Sequence, residues 1–323
     1  MGKNQDFIFY GSNIHPEKGS YEWGVLLDGH GSYDFIFLIS KLDWKKIMSC
    51  DDPWKILHEI LLNNTSSYYL EGNGGSTLLM MRAFSNHIET ISVGDSEIII
   101  HNNGIQVYKS TPHNLKSESE QNRIKQFPDT YCVTTNAHIT PQIRSSTTLQ
   151  ARQSQYYHFD NYNLSIAMTQ SIGHHNIMKY EPERHIEYFE SHDTIQCILG
   201  SDGLFEMMII EESILPLPEL SQTEIEDIHK DTIDMLTMTA EELVLKAEQR
   251  WKQEWIYMWH PKKFNETIKT PYSGYDDISA IVWRKMGYEP IINYIATNTT
   301  DNNNETLSLL PQLLVTIESN DEL

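Results

Sequence analysis

Cysteine is scarce: Cys50, Cys132 and Cys197 are the three in 323 residues, and they lie far apart. No CxxC spacing occurs and the number is odd. That excludes a cysteine-built zinc site and a disulfide framework, and it fits a reduced intracellular compartment. Basic residues are also few, with 24 Lys and Arg against 45 Asp and Glu, a net charge of −21. Without a basic stripe the chain has no nucleic-acid-binding surface, and it repels anionic membranes. No run approaches the roughly 18 apolar residues that span a bilayer. No secretory leader opens the sequence, and Asp6 stands where a myristoylation signal requires Ser or Thr. The closing NDEL resembles a retrieval signal without the leader that would give it use. These absences lead to the expectation of a soluble, cytoplasmic protein.

What is present is an apolar fraction of 39% with 17 Tyr and 7 Trp, enough for a substantial core. Residues 7–10 and 22–27 read as strands, with a loop over 11–19 between them. Residues 34–70 read as helical, with apolar residues three to four apart in FIFLISKL and PWKILHEILL. From Ser76 strands follow one another, and Asn103-Gly104 marks a hairpin turn. Polar residues 112–127 cover an edge, and 133–158 read as a long loop or insertion. A helix is expected from Asp202 through Met208, then an acidic insertion over 210–237. Another helix is expected over Thr239–Trp255, opened by a Thr239/Glu242 capping box. Ile278–Trp283 closes the sheet. Antiparallel strand runs with helices in blocks imply a layered α+β fold. The domain is expected over 1–290, with insertions near 133–158 and 210–237 and a C-terminal tail over 291–323.

Four stretches place acids at the tips of apolar strands: WGVLLDGHG (Asp28), ISVGDSEIII (Asp95), CILGSDGLFE (Asp202, Glu206) and SGYDDISAIVW (Asp276, Asp277). Converging carboxylates need an offset. Divalent cations supply it, and hard oxygen donors select Mg2+ or Mn2+ over zinc. A carboxylate-lined two-metal hydrolytic site is therefore the first reading. Each stretch also has a plain structural alternative: a tight turn at Asp28-Gly29, a hairpin turn at Gly94-Asp95, a helix cap at Asp202, a solvated acidic turn at Asp276-Asp277. Gly74-Gly75-Ser76-Thr77 lacks the lysine of a P-loop and reads as a turn before a strand. His174-His175 reads as a surface pair, and His58 and His158 as structural.

The order DGHG, GGST, VGDSEIII with NG after it, SDGLFE and DDIS resembles the type-2C metal-dependent serine/threonine protein phosphatases, over residues 7 to about 285. STPHNLKSESEQNRI is similar to the stretch that follows the hairpin in that family. The resemblance implies a central sandwich of two antiparallel β-sheets flanked by α-helices, with two core Mn2+ or Mg2+ ions at one edge. It implies that Asp28 bridges them, that Gly29 adds its carbonyl, and that Asp202 and Asp276 ligate the second ion. Asp95 and Glu206 fall on ligands of a weaker third ion, Glu17 on a metal-water-holding Glu, and His30 on the general acid. The implied activity is hydrolysis of phosphoserine and phosphothreonine in a phosphoprotein substrate.

The departures lie where phosphate is held. The family's G-x-R-x-x-N-E-D is matched to GSNIHPEK, with Asn13 for the arginine and Lys18 for the Asp. MTQSIGHH carries Gln170 and His174 where the family has Arg and Asp in T-R-S-L-G-D. Asn cannot replace a bidentate, always-charged fork. Lys18 and Arg144 are candidate replacement cations. A weakly active or inactive module that binds metal and phosphoprotein is the alternative, and an interaction protein docking through its acidic insertion is a third. On this register, Asn13→Arg should raise kcat/KM by on the order of 10-fold, measured on a phosphothreonine peptide.

Overall fold

The computed structural model describes residues 5–63, 74–127, 138–154, 157–159, 164–174, 178, 180–209, 221–258, 269–271, 276–286 and 289–297. The strands are β1 (Asp6–His15), β2 (Gly19–His30), β3 (Gly75–Ser76), β4 (Leu78–Phe84), β5 (His87–Val93), β6 (Glu97–Asn102), β7 (Ile105–Lys109), β8 (His138–Ser145) and β9 (Thr148–Ser154). They continue with β10 (Tyr157–Phe159), β11 (Leu164–Ile166), β12 (Ile172–Gly173), β13 (Glu183–Tyr188), β14 (Ile195–Gly200), β15 (Glu254–Met258), β16 (Lys269–Pro271), β17 (Ile278–Met286) and β18 (Glu289–Thr297). The helices are α1 (Tyr33–Ile39), α2 (Trp44–Met48), α3 (Pro53–Asn63), α4 (Glu118–Ile124), α5 (Asp202–Phe205), α6 (Gln222–Thr237) and α7 (Ala240–Lys252).

Side-chain parity along the strands builds the layers. On β2, Val25 and Leu27 face α1–α3 in one buried cluster, whereas Leu26 faces the second sheet. On β4, Leu78 and Met80 share the helix side, and Leu79 and Met81 the sheet side. The second sheet mirrors this. Ile98, Ile100, Cys197, Leu199, Ile281 and Trp283 pack inward, and Ile99, Ile198, Ala280 and Val282 pack outward on α5–α7. Strands buried on both faces read as continuous apolar runs, which is why EIII, CIL and AIV were legible. The result is the expected α+β sandwich. One sheet runs β12-β3-β2-β4-β5-β13 with β1 beside β2, and the other runs β18-β17-β14-β6-β7. A separate sheet, β16-β15-β9-β8, contains one parallel pair, β9 with β15.

Several expectations change. The loop expected over 11–19 is mostly strand: β1 and β2 pair from Asp6↔Asp28 to His15↔Gly19. Gly11 is required there because the Trp23 indole lies over it, and a Cβ would meet Trp23 Cζ2 at 2.9 Å. Within 133–158, β8 and β9 form a hairpin. Within 210–237, residues 222–237 form α6, opened by a Ser221/Glu224 capping box. α7 starts at its expected Thr239 cap, but it stops before Trp255, which is buried from β15. β18 continues the second sheet beside β17, and residues 298–323 lie outside the described residues.

A buried ion cluster fixes the helix layer of the second sheet. Asp231, fully buried, accepts from both terminal nitrogens of Arg250, from Lys246 and from the Ile209 N–H. These contacts hold its carboxyl below the usual range despite burial. Asp231→Ala should leave Arg250 buried and uncompensated, at a cost of about 3–5 kcal/mol read from urea unfolding.

Candidate functional site

The strand ends that share one edge of the sandwich bring acids from five chain segments together. Asp28 ends the apolar run of β2. Its N–H donates to Thr77 Oγ1 (3.3 Å), Thr77 N–H returns a bond to its carbonyl (2.9 Å), and Ser96 Oγ donates to its Oδ2 (3.4 Å). Across the hairpin Asp6 sits directly opposite Asp28. Gly29 N–H donates to Gln5 O at 3.1 Å, and a Cβ on Gly29 would meet Gln5 O at 2.8 Å and Ile36 at 2.7 Å. Glycine is thus required for β1 and α1 to close on the site.

The second sheet adds Asp202 and Asp276. Ser201 Oγ donates to Asp277 O and accepts from Ser279 N–H, so the N-terminus of α5 and the start of β17 are locked side by side. Gly203 completes the lock: a Cβ there would lie 2.2 Å from Asp277 O. Gln5 N–H donates to Asp277 Oδ2 at 2.8 Å and ties the first sheet to the second. Asp95 occupies the β5–β6 turn after Gly94, whose φ of +107° suits glycine.

Burial and mutual repulsion act on all these acids. Burial, then the charges of Asp6, Asp202, Asp276 and Asp95, push the Asp28 carboxyl well above its usual range. Asp202 is raised in the same way by burial, Asp276, Asp95 and Glu206. Asp276 is raised by burial and by Asp277. Burial lifts Asp95 to about 6. Asp6 is pushed to about 8 by burial, with smaller contributions from Asp277 and Asp276. Neither Asp6 oxygen meets a donor at bonding geometry, although the nearby Ser279 hydroxyl partly favours its ionised form. At Glu206 desolvation, then the charges of Asp276 and Asp95, hold the carboxyl above the usual range against the opposing charge of Lys116.

Among the described residues no three of His, Cys, Asp and Glu close into a ready-made ligand cage. The donor set nevertheless fits a hard divalent cation. Its members are carboxylates, two of them carry buried oxygens without partners (both of Asp6, Oδ1 of Asp95), and they repel one another.

His30 lies beside these acids. Its Nδ1 meets Asp28 O at 3.3 Å, its Nε2 has no partner, and burial lowers its pKa to about 4, so the neutral imidazole is favoured. It packs on His174, with ring centroids 4.5 Å apart. His174 is buried at 1% exposure, not on the surface as expected, and it fits against Gly75, where a Cβ would come within 2.3 Å of its ring.

The structure brings together Asp28, Gly29, His30, Asp95, Asp202, Glu206 and Asp276. It does not bring Glu17. Glu17 sits in the turn joining β1 to β2, nine strand residues from Asp6, or about 30 Å. Asn13 is nearer that turn, its amide donating to Lys45 O. Lys18 pairs with Glu89, and Arg144 with Glu224, so neither candidate cation reaches the acids. Gln170 is buried, donating to Glu120 and accepting from Glu181 N–H, a fastening of its own segment. The acid that sequence reasoning missed is Asp6. Antiparallel pairing puts it opposite Asp28, whereas the loop assigned to 11–19 hid that pairing.

An α+β sandwich with acidic strand tips gathered at one edge is the class that fold and site define. The chain belongs to the protein phosphatase 2C family, whose model matches residues 57–248, more than half of its length. Among solved structures, a C. elegans sex determining protein is 15% identical over 87% of this chain, with a TM-score of 0.49; the chain spans 61% of that structure's length. A serine-threonine phosphatase 2C from Toxoplasma gondii is 12% identical over 77% of this chain and 86% of its own, with a TM-score of 0.45. A serine/threonine phosphatase of S. agalactiae is 19% identical over 73% of this chain and 89% of its own, with a TM-score of 0.37. No curated protein matches the sequence.

Two outcomes follow from the geometry. Asn13→Arg should leave kcat/KM on a phosphopeptide unchanged within about 2-fold, in place of the gain expected from sequence, because the substitution lies far from the acids. Asp6→Asn tests the crowding. An acid raised to about 8 when folded keeps its proton while the unfolded chain loses it near the usual 3.8, so the folded form is penalised progressively from about pH 4 to pH 8. Chelated Asp6→Asn should therefore gain stability over wild type as pH rises from 5 to 8, by up to roughly 4 kcal/mol, in urea titrations. A pH-independent difference would remove Asp6 from the acidic nest.

Proposed function

We propose that the protein is a phosphoserine/phosphothreonine phosphatase using Mn2+ or Mg2+ held by Asp28, Gly29 O, Asp202 and Asp276, with Asp95 and Glu206 at a weaker position. The observation that supports this most is the buried, mutually repelling set of Asp6, Asp28, Asp95, Asp202 and Asp276 at one sandwich edge. Such a set is stable in ionised form only with cations among its oxygens. The chemistry a divalent cation supplies in such a site is neutralisation of phosphoryl oxygens and activation of water.

The chain's own residues have separate tasks. Thr77 and Ser96 orient Asp28 through a shared 2.7 Å hydroxyl contact. The Ser201–Ser279 lock holds Asp202 against Asp276. His30 places an unbonded Nε2 at the nest and moves a proton to the leaving alkoxide. Because burial favours neutral imidazole, that proton must be taken up when the dianionic phosphoryl group arrives, a charge that raises the imidazole's basicity.

A weakly active or inactive phosphatase-like module is the second reading, and one observation favours it. With Asp6 opposite Asp28, Gln5 precedes Asp6 where the motif of the family resemblance has Glu before Asp, so one carboxylate is absent there.

Turnover of an aryl phosphate and of a phosphothreonine peptide, with Mn2+, Mg2+ or chelator, separates the two. Activity should require the cation, and Asp28→Ala, Asp202→Ala and Asp276→Ala should each abolish it; near-normal turnover in any of them would sink the assignment. His30→Ala should lose about 10²–10⁴-fold on the peptide and much less on the aryl ester, whose leaving group needs little protonation. Equal losses would take the acid role from His30.

A further inference from the structure

His30 is seated by a second ring. In the first sheet β3 lies between β2 and β12, and Gly75 pairs with His30 on one side and with Gly173 on the other. Strands two apart are separated by about 10 Å, so a side chain from the β12 side meets His30 only by crossing Gly75. The chain turns to make that crossing. Gly173 and His174 both have positive φ, +91° and +48°, and His174 N–H donates to Gly74 O at 2.7 Å. The turn lays the His174 ring over Gly75, where a Cβ would come within 2.3 Å of ring Cδ2 and 2.4 Å of Nε2. The buried ring ends against His30, with centroids 4.5 Å apart and planes 35° from parallel.

The polar fastening of His30 is slight. Its Nδ1 meets Asp28 O at 3.3 Å, just beyond the usual hydrogen-bond range. That contact holds one atom and leaves the plane of the ring to be set by what packs on its face, where His174 lies. Glycine or asparagine would turn the chain equally well at His174, so the turn alone does not call for a ring. The residue stands where T-R-S-L-G-D has Asp, and a carboxylate has no ring to lay on an imidazole. A proton donor works only in reach and in line, and a misplacement of about 1 Å costs on the order of 10²-fold in rate.

We propose that His174 is the positioning residue for His30: its ring, seated on Gly75, fixes the plane of the His30 imidazole so that Nε2 faces the leaving oxygen. This rests on the reading of His30 as the acid. On this assignment His174 acts through His30 and not on the substrate. Its effect therefore falls on kcat and not on KM, and it falls mainly on esters whose leaving oxygen needs a proton.

The experiment compares wild type, His174→Asn, His30→Ala and the double variant His30→Ala/His174→Asn in the full chain with Mn2+, on a phosphothreonine peptide and an aryl phosphate. Asparagine suits the positive φ, so His174→Asn removes the ring and leaves the turn. It should lower kcat on the peptide by about 10- to 100-fold, with KM within about 2-fold and a much smaller loss on the aryl ester. The double variant should be no slower on the peptide than His30→Ala alone. A second readout needs no turnover: in the proton NMR spectrum the His30 Cε1–H signal, assigned by its loss in His30→Ala, should move in His174→Asn. Unchanged turnover in His174→Asn, equal losses on both its substrates, losses that multiply in the double variant, or a His30 signal that stays in place each overturn this inference alone. Equal losses on both substrates in His30→Ala, or a His30 signal that moves in a chain without phosphatase activity, overturn it together with the acid reading.

Discussion

Like-charge crowding at one edge of the sandwich is the constraint that the rest of the architecture serves. Burial raises the carboxyl affinity for protons of five aspartates, at positions 6, 28, 95, 202 and 276, and the charges of neighbouring acids, Asp277 among them, add to it. Left to themselves such groups would push their strands apart. The fold resists that with bonds from uncharged donors close behind the acids: Gln5 N–H to the Asp277 carboxyl across the sheets, Ser279 N–H to Ser201 Oγ within one, and the Thr77–Ser96 hydroxyl contact behind Asp28. None of these bonds contributes a positive charge to the nest.

Glycine serves the same end from the opposite direction. Gly29, Gly75 and Gly203 stand where backbone or a ring approaches too closely for any side chain: Gln5 O at 2.8 Å, the His174 ring at 2.3 Å, Asp277 O at 2.2 Å. Each brings a second segment within reach of the acids. A larger residue at any of them would open the edge by ångströms, and charge interactions at these separations fall quickly with distance.

How much of this the sequence discloses depends on whether a segment is governed by burial or by a partner. β4, β6, β14 and β17 are buried on both faces, and their apolar runs, with acids at several of their tips, are plain in the sequence. β1 is not. Gly11, Ser12 and Asn13 are turn-forming residues, and they are strand here because the Trp23 indole needs a neighbour without a side chain. That one misreading hid Asp6 and moved the early motif to Glu17. The helix over residues 222–237 carried a legible signal, its Ser221/Glu224 capping box, behind an acidic composition that suggested solvent. The hairpin at 138–154 offers little to read in its polar composition; among its residues with described side chains, Ile143 and Leu149 are the buried apolar ones. His174 packs against Gly75 and His30, contacts between distant segments that spacing does not encode.

The acids come from segments spread over some 270 residues, and the last, Asp276, stands at the mouth of β17, which pairs with β14 and β18 in the second sheet. During synthesis the early hairpin of β1 and β2 can form on its own, since all its pairs are local. The nest cannot: until β17 has emerged and docked, Gln5 has no Asp277 to bind and Ser201 no Ser279. A ribosome-bound chain that ends before Asp276 therefore carries four of the five acids, Asp6, Asp28, Asp95 and Asp202, without the β17 contacts that help to gather them. Contacts of such sequence separation also form slowly. Possession of a complete acidic nest is thus a property of chains that include β17, and shorter products carry a partial one.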